Sequence, residues 1–176
     1  FNLFFKQPYL DGARIAKNYK LISPSIRKWY YAVDRDKKGD ELGWSKADFD
    51  HSRWKQTDPC IDTWYALDLE AYYGSVWYRQ KVKLPGVPTG KKVYLWVSST
   101  DENCKIFING QHIPYVNEKG EKADEFTGYC KAVSFDVSSA IKPDAENQIT
   151  IIGTRVTLNE LGTGGLLGPV LFYQEK

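Results

Sequence analysis

The alternation of apolar and polar side chains is clearest in the run Val76-Trp77-Tyr78-Arg79-Gln80-Lys81-Val82-Lys83-Leu84. Successive side chains of a β-strand point to opposite faces, so the even-numbered positions, which are mostly apolar, share one face. The odd-numbered positions place the three cations Arg79, Lys81 and Lys83 on the other face. This pattern predicts a half-buried strand of an antiparallel sheet, and Pro85-Gly86 ends it.

Similar short runs lie on both sides of this one. Further strands are predicted at residues 29–33, 92–97, 104–108, 132–137, 147–156 and 170–173. Asn109-Gly110 predicts a two-residue hairpin turn, because both residue types tolerate positive φ. Residues 138–142 predict one short helical turn before Pro143. At least six strands without a long helix favour an all-β sandwich over an α/β fold.

Residues 92–97 differ from the other runs, because apolar side chains occupy both faces of the predicted strand. Val93, Leu95 and Val97 share one face, whereas Tyr94 and Trp96 share the opposite one. We therefore expect both faces to be covered at this point.

Length and composition predict one domain over residues 1–176. Single hydrophobic cores usually occur in units of roughly 100 to 200 residues, and 42% of the 176 residues are hydrophobic. Residues 1–28 are expected to be an N-terminal extension or edge segment. The chain begins at Phe1 and contains no Met, which predicts either a processed product or, as we expect, a piece excised from a larger multidomain protein.

Charge and hydropathy argue against two classes of partner. The 24 basic and 22 acidic residues are interspersed and give a net charge of +2, so we expect no nucleic-acid partner. No apolar stretch reaches the roughly 20 residues that a membrane-spanning helix needs, so we expect no membrane partner.

Metal-binding and cofactor-binding patterns are equally weak. The three cysteines allow at most one disulfide and include no C-x-x-C pair, and the two histidines lie far apart in the sequence. We therefore predict no cofactor and no metal-ligating residues. The alternative is a structural Ca²⁺ bound by acidic residues of one segment, namely Asp34, Asp36, Asp40, Asp48 and Asp50.

Three groups of motifs follow one another along the chain. The first contains Asp34, Gly43-Trp44 and Asp48-Phe49-Asp50-His51-Ser52-Arg53-Trp54. The second contains Gly74-Ser75-Val76-Trp77-Tyr78-Arg79, Leu84-Pro85 and Ile106-Phe107-Ile108-Asn109-Gly110. The third contains Phe135-Asp136-Val137 and Gly164-Gly165-Leu166-Leu167-Gly168-Pro169-Val170. Their joint order resembles the N-terminal sugar-binding domain of glycoside hydrolase family 2 enzymes and related carbohydrate-binding modules.

The resemblance implies a galactose-binding-domain-like jelly roll, a β-sandwich of two antiparallel sheets. It also implies an accessory, non-catalytic role, because the catalytic carboxylates of such enzymes lie on a separate barrel domain. In some members the segments corresponding to residues 64–73 and 158–169 reach the neighbouring active site. Pro169 stands here where some of those members have an acidic residue, and His51 stands where the family run has a second Asp.

Aromatic side chains in the long connection before residue 74 are the first candidates for sugar contacts. Sugar recognition needs flat rings beside polar groups in fixed directions. The candidates are Trp64, Tyr65, Tyr72 and Tyr73, together with the acidic residues Asp68 and Glu70. The alternative is that these rings plug one end of the sandwich. Trp44, Trp54 and Trp77 are expected to be packing residues.

A second set of candidates lies at the end of a predicted strand and in the Gly-rich segment after it. Arg155, Asn159 and Glu160 carry polar side chains that would reach a ligand at the sandwich rim. A solvated surface is the alternative for these three.

The residues and the resemblance together predict a carbohydrate-binding accessory module of an extracellular glycan-degrading protein. Its expected partners are an oligo- or polysaccharide and a catalytic domain in the same parent protein, and its expected location is secreted, periplasmic or cell-surface. The alternative is a purely structural domain that packs against a catalytic domain and binds no sugar. An independent hydrolase would require two carboxylates in one cleft.

Overall fold

A computed structural model describes residues 17–88, 90–157 and 163–176. Within these ranges the chain forms twelve strands and one short 3-10 helix. In chain order they are β1 (Tyr19–Leu21), β2 (Trp29–Asp34), β3 (Lys55–Thr57), the 3-10 helix (Trp64–Leu67), β4 (Gly74–Lys83), β5 (Val93–Ile108), β6 (Gln111–Ile113), β7 (Tyr115–Val116), β8 (Lys122–Ala123), β9 (Phe126–Gly128), β10 (Val133–Asp136), β11 (Glu146–Arg155) and β12 (Gly165–Glu175).

The strands form two antiparallel sheets. The first sheet has the order β1-β12-β5-β10, and the second has the order β3-β2-β4-β11-β5, with β6 and β9 pairing the outer edge of β5. β7 and β8 form a separate small hairpin. This arrangement confirms the all-β fold class and matches a jelly-roll sandwich.

β5 belongs to both sheets. Its first half pairs with β12 and β10, and from Glu102 onward it pairs with β11, β6 and β9. Glu102 adopts a left-handed conformation with φ 75° at the point where the strand passes between the sheets. The two separate strands predicted at 92–97 and 104–108 are therefore one strand of 16 residues.

The core lies between the two sheets and confirms the predicted alternation. Val76 and Tyr78 of β4 face it, and Ile151 of β11 lies directly across from Tyr78. Asn109 and Gly110 both have positive φ and join β5 to β6, as the hairpin signal predicts. The 3-10 helix and the strands β1, β3 and β7–β9 were not predicted, because they are short and lack a clear period.

Aromatic side chains also line the outer face of the first sheet. Tyr94 stacks on Tyr173 of β12 with ring centroids 5.0 Å apart, and Tyr19 of β1 meets Tyr173 edge-on at 5.2 Å. Tyr94 and Trp96 are half-buried. Neighbouring strands of the same sheet thus supply part of the cover expected for this face.

The outer face of the second sheet is covered by the connection between β2 and β3, called here the covering loop (residues 35–54). Trp77 of β4 is buried beneath it and donates a hydrogen bond from Nε1 to Asp34 Oδ2 at 3.0 Å. Trp44 packs edge-on against both Trp77 and Trp54. The prediction that Trp44, Trp54 and Trp77 are packing residues is confirmed.

Arg79 fixes the covering loop to the sheet. Its buried guanidinium donates hydrogen bonds to the carbonyl oxygens of Trp44 and Lys46 and to Thr150 Oγ1 of β11. Burial lowers the pKa of Arg79 to about 10, so the group still carries its charge at neutral pH. A position that the sequence pattern assigns to a polar, solvated face is therefore an interior anchor.

His51 completes the contacts of Arg79. Arg79 Nε lies 3.3 Å from His51 Nδ1, and the same nitrogen lies 3.4 Å from the carbonyl oxygen of Phe49. The ring packs edge-on against Tyr30 of β2. Burial and the nearby guanidinium of Arg79 lower the pKa of His51 from its ordinary value of 6.5.

Replacing Arg79 with Met tests this anchor. The change leaves the partly buried carbonyl oxygens of Trp44 and Lys46 without the donor supplied by the buried Arg79, so we expect the free energy of unfolding to fall by about 3 kcal/mol. Urea denaturation measures the loss. Lys81→Met is the matched control on the same strand face, where a half-exposed ammonium contributes at most about 1 kcal/mol. Equal losses in the two variants would contradict the anchor.

The depressed pKa of His51 predicts a pH-dependent stability. As the pH falls below 6.5, His51 is protonated in the unfolded chain at a higher pH than in the folded chain. Proton binding therefore stabilises the unfolded state, and the free energy of unfolding decreases. The decrease levels off below the folded-state pKa. Thermal unfolding between pH 7.5 and 5.5 should show this slope, and His51→Asn should flatten it. If His51→Asn shows the same pH dependence of stability, that dependence comes from another titratable group.

Candidate functional site

Trp64 lies inside the end of the sandwich. It is 1% exposed, and its Nε1 donates a hydrogen bond to the hydroxyl of the buried Tyr78 at 2.8 Å. Its backbone N–H donates to the carbonyl of Thr163 at 2.9 Å. No face of this indole is available to a sugar ring. Trp64 plugs the end of the sandwich, which is the alternative stated above for these aromatic residues.

The backbone before β12 is shaped to receive this indole. Gly164 and Gly165 both have positive φ, at 59° and 68°, and a side chain at either position would overlap the ring of Trp64. The Gly164-Gly165 pair in the third group of motifs is therefore explained by the close approach of the backbone to Trp64.

The other candidates of residues 65–70 lie at the surface. Tyr65 is 73% exposed, and Asp68 ends the 3-10 helix in a left-handed conformation with φ 58°. The Glu70 side chain is also exposed, while its carbonyl oxygen accepts a hydrogen bond from Arg155 Nη1 at 2.8 Å.

Tyr72 is half-buried between Trp64 and the covering loop. Its ring centroid lies 5.5 Å from that of Trp64, and the guanidinium carbon of Arg35 lies 5.1 Å from the Tyr72 centroid. Its hydroxyl donates to the carbonyl of Ser75 at 3.3 Å, and burial raises its pKa. Tyr72 therefore links the plug to the start of β4.

Tyr73 and Arg155 are the two predicted residues that meet in a cleft. The guanidinium carbon of Arg155 lies 5.5 Å from the ring centroid of Tyr73, which is 44% exposed. Arg155 itself is buried at the end of β11. Asn159 and Glu160, the other two rim candidates, lie outside the described residues.

The cleft has a volume of about 480 Å³ and opens on the outer face of the second sheet. Ser75, Trp77, Ile152 and Thr154 form its floor. One wall comes from the covering loop and the end of β2, and the other from β5 and the residue before β9. The charged residues of the cleft are Asp34, Lys37, Asp40, Lys105, Glu125 and Arg155.

Most of these charged groups already have protein partners. Asp34 accepts hydrogen bonds from the backbone N–H groups of Lys38 and Gly39 and from Trp77 Nε1. Lys105 Nζ lies 2.6 Å from Asp124 Oδ2. Asp34 is thus a turn cap rather than a free base.

Sequence reasoning missed the residues that the sheets bring together in this cleft. Lys105, Glu125 and Thr154 come from β5, from the residue before β9 and from β11, and no short motif contains them. A partial signal existed, because Thr154 occupies an outward position of a predicted strand and Ser75 immediately precedes another. The sequence does not say which part of an outward face remains uncovered.

Metal and membrane features give two further observations. In the ranges that the structure describes, no three His, Cys, Asp or Glu side chains lie close enough to bind a metal ion together. Nor does any described helix have the length and apolarity needed to span a bilayer.

Replacing Trp64 distinguishes a plug from a platform. Trp64→Ala removes a fully buried indole, so we expect the free energy of unfolding to fall by about 3–5 kcal/mol. Tyr65→Ala, one residue further along the same 3-10 helix, should change it by no more than about 0.5 kcal/mol. Chemical denaturation of both variants measures this difference. A stable Trp64→Ala variant would contradict the plug.

Comparison with known proteins gives two curated relatives. A β-glucuronidase of Formosa agariphila is 25% identical over 130 residues, which cover 70% of this chain and 12% of that protein. A β-glucuronidase of Paenibacillus borealis is 25% identical over 134 residues, which cover 73% of this chain and 20% of that protein. The chain thus spans a fifth or less of the relatives that it matches. No family model matches it.

Solved structures show the same fold. A β-glucuronidase from an uncultured Clostridium species superposes with a TM-score of 0.67 at 17% identity, covering 90% of this chain and 29% of that one. The Bacteroides uniformis β-glucuronidase gives a TM-score of 0.61 at 19% identity, with 89% and 18% covered. A β-glucuronidase described as a glycoside hydrolase family 2 enzyme gives 0.64 at 19% identity, with 89% and 17% covered. The chain therefore resembles, as its ordered motifs predict, the N-terminal β-sandwich domain of glycoside hydrolase family 2 enzymes.

Proposed function

We propose that this chain is a non-catalytic accessory domain of a glycan-degrading protein and that it binds carbohydrate in the cleft beside Tyr73. The observation that carries the proposal is the position of the Tyr73 ring. It is exposed at the rim of a cleft whose walls and floor supply hydroxyl, carboxylate and ammonium groups. An apolar ring face next to several directional polar groups is what a pyranose requires.

The construction of Tyr73 supports this role. The ring is held against Arg155, whose Nη1 is fixed by the carbonyl oxygen of Glu70. A cation over an aromatic face restricts the ring without covering it fully, since 44% of Tyr73 remains exposed. A preorganised ring loses little conformational entropy when a ligand stacks on it.

A non-catalytic role fits the acidic groups of the cleft. Glycoside hydrolysis needs one carboxyl group that donates a proton and another that acts as base or nucleophile. Two of the three cleft carboxylates already have hydrogen-bond donors: Asp34 accepts from three N–H groups, and Glu125 accepts from Asn103 Nδ2 at 2.8 Å. The relatives that the chain matches are glycoside hydrolases several times its length. The proposed partner is thus a catalytic domain of the same parent protein, in a secreted, periplasmic or cell-surface setting without a cofactor.

A structural domain that binds no sugar is the second candidate. The observation that favours it is the pair Ile61 and Tyr65, each 73% exposed, on the segment between β3 and β4. Two large apolar side chains so fully exposed on one segment suit a contact with another domain. This candidate predicts that none of the glycans tested will bind.

Calorimetric titration against a panel of plant, algal and host polysaccharides tests the proposal. We expect a Kd of about 0.1 to 1 mM for at least one glycan, because an open cleft makes few contacts. Tyr73→Ala should weaken that binding about tenfold through loss of the stacking surface. Reducing-sugar assays on the same mixtures should show no release.

Tyr129→Ala is the matched control, because Tyr129 is 45% exposed and does not line the cleft. We expect its affinity to equal that of the unaltered chain. Loss of binding in Tyr65→Ala but not in Tyr73→Ala would move the site to the 3-10 helix. Absence of binding across the whole panel would favour the structural domain, and release of reducing sugar would contradict the non-catalytic role.

A further inference from the structure

We infer that the cleft selects neutral sugar units over uronic acids and other anionic sugars. This inference rests on the proposed function and names the class of ligand for the same site. The arrangement of charges and hydroxyl groups in the cleft carries it.

The charges of the cleft balance, and the two cations that are not exposed already have protein partners. Three acidic and three basic side chains line it. Lys105 is paired with Asp124, and Arg155 is held by the Glu70 carbonyl and the Tyr73 ring. Lys37 is exposed, so water screens its charge. An incoming carboxylate would therefore compete with existing partners for every buried or half-buried cation.

The wall around Lys105 is acidic. The hydrogen bond to Asp124 raises the pKa of Lys105, and the nearby carboxylates of Glu125 and Asp40 raise it further. Asp40 is exposed at the mouth of the cleft. An anionic sugar at this wall would meet the carboxylates of Glu125 and Asp40 beside one ammonium that is already paired with Asp124, and like charges repel.

The floor of the cleft suits hydroxyl groups. Ser75 Oγ and Thr154 Oγ1 lie 2.7 Å apart on paired strands, so one of their two protons is used between them. The second proton can donate a hydrogen bond to a sugar hydroxyl, and the remaining lone pairs can accept hydrogen bonds from sugar hydroxyls. Carboxylates on the wall accept further hydroxyl protons without placing a new charge in the cleft.

Matched oligosaccharides test this inference on the chain as it exists. The probes are uronate tetrasaccharides of the gluco, manno and galacto series, each paired with its carboxyl-reduced neutral form. Titration calorimetry at low ionic strength should give at least tenfold tighter binding for the neutral member of any pair that binds. Raising the salt concentration should narrow the difference, because screening weakens the repulsion.

Two variants separate charge from hydroxyl recognition. The double change Asp40→Asn and Glu125→Gln should narrow the difference in affinity between the neutral and uronate forms severalfold, because it removes two negative charges from the walls of the cleft. Thr154→Val should weaken the neutral form about fivefold or more by removing one hydroxyl of the floor. Circular dichroism verifies that both variants keep the fold.

Each outcome decides between the two proposals. Equal or tighter binding of the uronate form would overturn the neutral preference and leave carbohydrate binding in place. Binding of neutral probes that is insensitive to Thr154→Val and to Tyr73→Ala would overturn the cleft as the site. Failure of all six probes to bind would overturn the inference, and failure of the polysaccharide panel as well would overturn the proposed function.

Discussion

The guanidinium of Arg79 is the interaction on which the second sheet and its covering loop depend. A buried cation is costly unless its donors are satisfied, and here they meet two loop carbonyls, the hydroxyl of Thr150 and the ring of His51. These partners are neutral, so the loop is positioned by the direction of hydrogen bonds rather than by an ion pair. Removing the donor would leave two backbone oxygens without a hydrogen bond. Loop conformations that break these bonds are therefore disfavoured, and a single conformation is favoured.

A second constraint, made by carboxylates that accept hydrogen bonds, acts at the end of the sandwich, where β5 passes between the sheets. Asp101 Oδ2 accepts hydrogen bonds from Thr163 Oγ1 and the Gly164 N–H, and the Glu102 carboxylate accepts them from the backbone N–H groups of Val156 and Thr157. Two adjacent acidic residues thus hold the end of β11 and the approach to β12. The same approach contacts Trp64, so the plug and the strand crossing stabilise each other.

The sequence predicted the fold well because long strands carry a clear period. β4, β10 and β11 agree with their predicted spans to within two residues, and the Asn109-Gly110 turn follows from residue type alone. That β5 is one continuous strand was not predicted, because the polar residues between its two apolar halves indicate a loop. Strands of three residues such as β1 and β3 are too short to show a period and owe their geometry to their neighbours.

The candidate site was harder to predict, because burial decides the role of an aromatic residue. Trp64 and Tyr73 belong to one segment of similar composition, yet one ring is enclosed by Gly164 and Gly165 and the other is exposed at the cleft. Similarly, Lys105 and Glu125 reach the cleft only through strand pairing between distant segments. Sequence reasoning named Tyr73 and Arg155, which line the cleft, whereas the other polar residues of the cleft could be found only from the sheet register.

The floor and the wall of the cleft have different mechanical origins, which affects how binding relates to stability. Ser75 and Thr154 are fixed by the ladder between β4 and β11, so their hydroxyls keep their positions whenever the sheet is intact. Asp40 belongs to the covering loop, whose position depends on Arg79 and on packing against Trp77. Under the proposed function the floor would supply the hydroxyl contacts, so affinity for neutral sugars would depend mainly on the sheet. Discrimination against anions would depend on Asp40 of the covering loop and on Glu125 before β9. A change that loosens the covering loop would then displace Asp40 and reduce selectivity before it reduced binding, although no residue of the cleft had been altered.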